Sequence, residues 1–230
     1  ENPASKVYVG AKTKMAAECN IKTKDFKMNE DTDQDTLLKT IKDLNDDSSV
    51  HGILVQLPLP KQIDERAVID AIDVKKDVDG FHAINAGRLS IGGDMLKQAF
   101  IPCTPLGSLL LLKNTVQNLS GMNAVVVGRS NIVGKPMSQL LIEESCTVTV
   151  VHSRTKDIES ICSKADIVIA AVGRPEMIKS HWIKKDAVII DVGINRVPTT
   201  KPDGSEGSKI VGDVDYQDTF EKCSAITPVP

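Results

Sequence analysis

Four short, almost unbroken apolar runs in the second half of the chain constrain its fold more than any other feature. They are Ala124–Val127, Thr147–Val151, Asp166–Ala171 and Ala187–Asp191, and helix-forming stretches separate them. A strand buried on both faces reads as a continuous apolar run, and helices between such strands supply the crossovers of a parallel sheet. Pro136 suits the first turn of a helix, and Met137, Leu140 and Leu141 follow it at helical spacing. Ile158, Ile161 and Cys162 line a shorter helix. The second half therefore predicts a doubly wound parallel sheet. No apolar run approaches the roughly 18–20 residues that span a bilayer, so no membrane partner is expected.

The first half is less regular. Leu37, Leu38, Ile41 and Leu44 make a helical stripe, and 51–55 reads as a buried strand stopped by Pro58 and Pro60. A helix is predicted over 63–72, an irregular stretch over 75–105 and a leucine-rich helix over 106–119. Lys201–Ser208 reads as a polar loop. A chain of 230 residues fits two small lobes. The expected division is an α/β lobe over 1–110 and a Rossmann-like nucleotide-binding lobe over 111–230, with the active-site cleft between them.

Composition removes several functional classes. The net charge is −3 and no basic block occurs, so nucleic acid is not an expected partner. The 5 cysteines contain no CxxC pair and the 4 histidines show no ligand spacing, so neither a disulfide framework nor a metal site is expected. A reducing, cytoplasmic location is the expectation, with a mitochondrial one still open.

Val125-Val-Val-Gly128-Arg-Ser130-Asn-Ile-Val-Gly134-Lys-Pro136 reads as strand, small-residue turn and helix. That geometry brings a phosphate to a helix N-terminus, where free N–H groups and the helix dipole favour an anion. The spacing is longer than GxGxxG, and an ordinary strand-to-helix loop is the competing reading. In NAD-binding folds a carboxylate lies after the second strand and takes the ribose 2′-hydroxyl. Here that strand runs into His152-Ser153-Arg154-Thr155. With Arg129 in the first turn, Ser153 and Arg154 suit a 2′-phosphate, hence NADP. Solvated surface arginines are the alternative.

Read as a helix at about 100° per residue, Val7–Cys19 puts Tyr8, Ala11, Met15 and Cys19 on one stripe, with Lys12 inside it. A lysine there either snorkels or serves as a proton acceptor beside a flat aromatic surface. Gln56 comes just after the predicted strand at 53–55, at the end where parallel strands present ligands. Asp77 and Asp79 sit in an Asp-Gly turn signal, and His82 has no partner legible in the sequence. Cys103 is expected to be a packed thiol, and Asp191 and Asn195 to shape loops.

Tyr8-Val-x-x-Lys12, Val55-Gln-Leu-Pro-Leu-Pro60, Asp77-Val-Asp-Gly-Phe81, Ile84-Asn-Ala-Gly-Arg88, Pro102-Cys-Thr-Pro105, Gly128-Arg-Ser-x-x-Val-Gly134 and Ile226-Thr-Pro-Val-Pro230 occur in this order. Together they resemble the bifunctional methylenetetrahydrofolate dehydrogenase/methenyltetrahydrofolate cyclohydrolase family, over essentially the whole chain. Members of that family extend further at both ends, so an N-terminal segment and a C-terminal loop and helix are expected beyond this sequence. The resemblance implies NADP as cofactor, tetrahydrofolate derivatives as substrates and a homodimer. It implies that Lys12 is the main catalytic residue, held by Gln56, that Tyr8 packs on the folate and that Asp79 holds the pterin edge. Val55, Leu57 and Pro230 would join the substrate site. Gly128, Arg129, Ser130, Ser153 and Ile194 would contact NADP. The competing readings are a dehydrogenase without hydrolase activity and a nucleotide sensor without chemistry.

Overall fold

The four apolar runs become four strands of a five-stranded parallel sheet. Its strands are β1 (Asn123–Val127), β2 (Thr147–Val151), β3 (Ile167–Ala170), β4 (Val188–Asp191) and, after a hairpin of β5 (Asn195–Thr200) and β6 (Glu206–Val211), β7 (Ala225–Ile226). They lie in the order β2-β1-β3-β4-β7. This computed structural model describes residues 3–200 and 204–229, without the side chains of residues 3–9 and 11. Within it the chain divides into two compact units, Glu1–Val78 and Asp79–Pro230.

The helices are α1 (Pro3–Glu18), α2 (Gln34–Asp46), α3 (Glu65–Ala71), α4 (Ala83–Ile91), α5 (Gly93–Leu96), α6 (Cys103–Thr115), α7 (Gly134–Glu143), α8 (Ile158–Cys162) and α9 (Tyr216–Thr219). Successive strand residues point to opposite faces, and each face of the sheet has its own helical cover. Ala124, Val126, Ile167 and Ile169 pack with Leu109 and Leu112 of α6 and with Met137, Leu140 and Leu141 of α7. Val125, Val127, Val168 and Ala170 pack with Cys162, Ile178, Trp182 and Ile183. Double coverage is what the apolar runs of β1, β3 and β4 demanded; β2, at the edge of the sheet, departs from that expectation and is exposed at Thr147, Thr149 and Val150. Burial in the second layer pushes the Cys162 thiol up to about 12, so it stays a packing group at neutral pH.

In the first unit, α2 buries Leu37 and Ile41, and Ile53, Ile63, Val68 and Ile72 complete the core. Asp33 caps α2 by accepting from the Thr36 amide, and Asp64 caps α3 by accepting from those of Arg66 and Ala67. At the other end of α2, Lys76 Nζ donates to the carbonyls of Leu44, Asn45 and Asp47 at 2.9, 2.7 and 2.8 Å. A cation there satisfies orphan carbonyls and complements the helix dipole.

Several elements differ from expectation. The strand predicted at 51–55 is one parallel bridge, Ile53 to Asp77, carried by the Ile53 amide donating to Lys76 O at 2.7 Å. The partner segment turns rather than extends, and Pro58 and Pro60 remove backbone donors from residues 56–60. The supposedly irregular 75–105 holds α4 and α5. Of the polar loop predicted at 201–208, residues 206–208 lie in β6, paired antiparallel with β5, whose exposure alternates along the strand; residues 201–203 lie outside the described residues. Of the stripe read on α1, the two members whose side chains are described are exposed, Met15 at 59% and Cys19 just past the helix end; Tyr8 and Ala11 lie outside the described side chains. Alanine and lysine are spread around that helix, so its described residues offer no wide apolar face.

Candidate active site

The nucleotide turn is built by two glycines that tolerate no side chain. Gly128 follows β1 at φ +123°, and a Cβ there would collide with the carbonyl oxygen of Ala171. A Cβ on Gly134, the first residue of α7, would collide with Gly128 O. The Gly128 amide donates to Val151 O at 2.9 Å, tying the turn to the end of β2. Ser130 Oγ accepts from the amides of Val133 and Gly134 at 3.1 and 3.3 Å, so it shapes the loop's own backbone. The result is a bare backbone surface at the start of a helix, suited to a pyrophosphate. Strand order reverses at β1, with β2 on one side and β3 on the other. In an open α/β sheet the carboxyl ends at such a switch point form the ligand crevice.

The turn after β2 closes on itself. Thr155 Oγ1 accepts from the His152 amide at 3.0 Å, and His152 Nδ1 accepts from that of Arg154 at 3.2 Å. This leaves Ser153 and Arg154 exposed, as are Arg129 and Ser130 of the first turn. No carboxylate occurs between 152 and 156. Exposed cations and hydroxyls at the ends of β1 and β2 fit a 2′-phosphate better than a ribose diol. Ile194, just beyond β4, is 59% exposed. A depression of about 350 Å³ at the amino ends of the strands is lined by Met122, Asp166 and Lys184–Ala187, far from this turn in the sheet.

Past β3 and β4 the backbone is organised by two carboxylates that the sequence reading did not single out as a pair. Asp213 is fully buried, and its Oδ2 accepts from the amides of Val172 and Gly173 at 2.6 and 2.9 Å. Its Oδ1 accepts from the Arg174 amide at 2.9 Å and from Asn195 Nδ2 at 2.8 Å. Asp191 accepts from the amides of Gly193, Asp213 and Val214. Burial raises the Asp191 carboxyl above its ordinary value, and those three amides oppose the rise. The Gly212-Asp213-Val214 signal could have been found as an acidic residue in an apolar run. Asp191 and Asn195 shape loops, as expected.

In the first unit, Lys12 is exposed on α1, and its Nζ donates to Gln56 Oε1 at 3.2 Å. The Gln56 amide nitrogen donates to Leu57 O at 3.1 Å, which fixes which end of the amide faces the lysine. The lysine is thus held by a hydrogen bond rather than by burial. Val55, Gln56 and Leu57 are partly buried. The side chain of Tyr8 and the whole of Pro230 lie outside the described residues.

Asp79 is partly buried and opens the second unit. Gly80 comes next at φ +69°, with no room for a Cβ beside Phe100 O. The Phe100 amide donates to the buried Asn85 Oδ1 at 3.3 Å, and Arg88 Nη1 donates to Gln98 O at 3.0 Å. The Asn-Ala-Gly-Arg motif therefore fixes the segment against which the Asp79 turn is closed. His82 caps α4, its Nδ1 accepting from the Ile84 amide at 3.1 Å. Cys103 is exposed at the first residue of α6, not packed as expected, because the Pro102 turn starts the helix there. Among the described residues, no cluster of three His, Cys, Asp or Glu is placed to hold a metal ion. No described helix is long and apolar enough to cross a membrane.

Sheet, switch point and glycine turn define a Rossmann-like nucleotide-binding protein with a second unit that, among its described residues, holds helices α1–α3 and the single Ile53–Asp77 bridge instead of the expected strand. Comparison with known proteins narrows the class. Residues 1–79 match the tetrahydrofolate dehydrogenase/cyclohydrolase catalytic domain and residues 102–230 its NAD(P)-binding domain. A bifunctional protein FolD of Paramagnetospirillum magneticum is 60% identical over 230 residues, covering 100% of this chain and 75% of that protein. A crystal structure of the bifunctional FolD dehydrogenase/cyclohydrolase of Campylobacter jejuni superposes with a TM-score of 0.90 at 45% identity, covering 100% of this chain and 77% of that one. The Trypanosoma brucei enzyme, complexed with NADP cofactor and inhibitor, gives 0.90 at 35% identity, with 100% and 76% covered. The chain belongs to the tetrahydrofolate dehydrogenase/cyclohydrolase family.

Proposed function

We propose that this protein oxidises 5,10-methylenetetrahydrofolate to the methenyl cation with NADP⁺ and hydrolyses that cation to 10-formyltetrahydrofolate. NADP⁺, when bound, supplies the hydride acceptor. The chain's part in that step is positioning: Gly128 and Gly134 leave room for the pyrophosphate, Arg129, Ser153 and Arg154 address the 2′-phosphate end, and Ser130 and Ile194 also contact NADP. Bringing donor and acceptor carbons to about 3–3.5 Å is most of what a hydride transfer needs.

Hydrolysis needs protons moved. A water adds to the methenyl carbon and loses a proton, and a ring nitrogen gains one as the ring opens. Lys12 Nζ is the group assigned to this transfer. Gln56 accepts one of its N–H bonds at 3.2 Å and leaves the remainder of the nitrogen for water or substrate. Asp79 holds the pterin edge, Tyr8 packs on the ring, and Val55, Leu57 and Pro230 complete the substrate set. The Lys12–Gln56 hydrogen bond is the observation that carries the reading. It gives an otherwise ordinary surface lysine a fixed direction.

Apart from Pro230, the substrate residues belong to a first lobe, here taken as 1–110, and the cofactor residues to a second, 111–230. Five free thiols support a reducing compartment, the cytoplasm. A homodimer is proposed too. Among the described residues, edge strand β2 has no neighbour on its outer side and carries an exposed Val150, and light scattering of the purified protein tests the assembly. The activity test is optical. Formation of methenyltetrahydrofolate should require NADP⁺, and its decay should proceed without it. No decay above the uncatalysed rate would leave only a dehydrogenase.

A further inference from the structure

Asp213 does more than fill a hole in the core. The β3–β4 ladder continues as far as the Val192 amide donating to Ala170 O at 2.9 Å. Past that point the two outgoing loops are joined through Asp213. One carboxylate takes the amides of Val172, Gly173 and Arg174 from the loop after β3 and the Asn195 side chain from the loop after β4. Its own amide is held by Asp191 Oδ1, which also takes the Gly193 amide. The packing is tight: a Cβ on Gly193 would collide with Asp213, and one on Gly212 with the Asp191 carboxylate. The loop after β3 is also the one whose Ala171 carbonyl abuts Gly128 of the nucleotide turn.

A dinucleotide lies across the carboxyl edge of such a sheet, one mononucleotide on each side of the switch point. The residues suited to the 2′-phosphate sit after β1 and β2, which assigns the adenosine half to that side. The loops after β3 and β4 then flank the nicotinamide half. A buried carboxylate is tolerated only when its hydrogen bonds are satisfied, so this one admits few arrangements of the loops it joins.

We propose that Asp213 is a positioning residue for the nicotinamide half of NADP: it locks the loops 172–174 and 193–195 into the shape that receives the ring, and it takes no part at the adenosine half. The proposal rests on the cofactor reading under Proposed function.

The test measures equilibrium binding of two ligands to the full chain by calorimetry. NADP⁺ uses both halves of the site, and adenosine 2′,5′-bisphosphate uses only the adenosine half. Asp213→Asn keeps the shape but cannot accept from four donors. It should weaken NADP⁺ at least tenfold while changing adenosine 2′,5′-bisphosphate less than twofold. Equal losses for both ligands would reveal a merely structural residue, and unchanged NADP⁺ affinity would remove any role; either overturns the proposal. If the parent fails to bind adenosine 2′,5′-bisphosphate, the cofactor reading itself is what fails. Asn195→Ala provides the second variant, because it deletes one donor and leaves the carboxylate and three amides in place. It should weaken NADP⁺ about threefold with the adenosine ligand unchanged. NADP⁺ binding at the parent level in this variant would contradict the proposal even if Asp213→Asn does not fold.

Discussion

Gly128→Ala tests whether the nucleotide turn is as closely fitted as its geometry says. Two costs add at this position. An L-residue at φ +123° is strained by about 1–3 kcal/mol. The new methyl also meets Ala171 O, and overpacking of this kind costs about 1–3 kcal/mol. The oxygen cannot simply step aside. The Ala171 amide donates to Val127 O at 2.8 Å, and residues 172–174 are held by Asp213. The combined loss is about 2–6 kcal/mol, and at about 2–4 °C per kcal/mol for a chain of this size the melting temperature should fall by about 4–24 °C. Gly107→Ala is the control. Gly107 lies inside α6 with nothing within 4 Å of a Cβ, so alanine should raise stability by about 0.5–1 kcal/mol. Calorimetric melts of the three proteins decide. If Gly128→Ala melts with the parent, the turn is not close-packed and the steric argument for its glycines is wrong.

Arg129→Ala should weaken NADP⁺ by about 1.5–3 kcal/mol and NAD⁺ much less, as measured by competitive binding; equal losses would show that the arginine does not read the 2′-phosphate. Asp79→Ala should weaken binding of a folate analogue and leave NADP⁺ affinity near the parent value, and the reverse pattern would remove Asp79 from the substrate site. Asp166 is held below its ordinary value of 3.8, first by the Lys184 ammonium and then by the Asn123 amide. A depressed folded value means stabilisation that is full above the unfolded value and lost as pH falls through the folded one. Urea titrations should therefore show Asp166→Asn less stable than the parent at pH 7, with the gap closing below about pH 4; a gap constant with pH would contradict the linkage.

β1, β3 and β4 were legible because burial on both faces leaves an unmistakable apolar run, and edge strand β2, though mostly exposed, because its threonines and valines favour a strand; all four fall within a residue or two of expectation. The cofactor turn was legible because its constraint is local: strand, glycine, small residues and helix are contiguous. The first unit was harder. A bridge at Ile53 depends on how 74–78 turns, which no periodicity in 51–55 records. The short α4 and α5 hide in a stretch rich in glycine and aspartate because their ends are fixed by His82 and by Glu143, whose carboxylate accepts from the Gly93 amide. Lys12 drew attention for its apolar neighbours, yet what distinguishes it is a hydrogen bond to a residue 44 positions away. Asp213 escaped notice for a related reason. Its donors come from 172–174 and 195, and only the fold brings them to one carboxylate.

The two activities part at Lys12, and one variant separates them. Lys12→Met keeps most of the side-chain length and removes the amine, so the Gln56 contact and the proton-transfer group are lost together. Methenyltetrahydrofolate hydrolysis, followed by its absorbance, should fall by about 10²–10⁴-fold, the usual consequence of removing a general acid–base group. Oxidation of methylenetetrahydrofolate by NADP⁺ should fall less, and the methenyl cation should accumulate. Hydrolysis at the parent rate in Lys12→Met would contradict the assignment of proton transfer to this lysine and leave it a snorkelling surface residue.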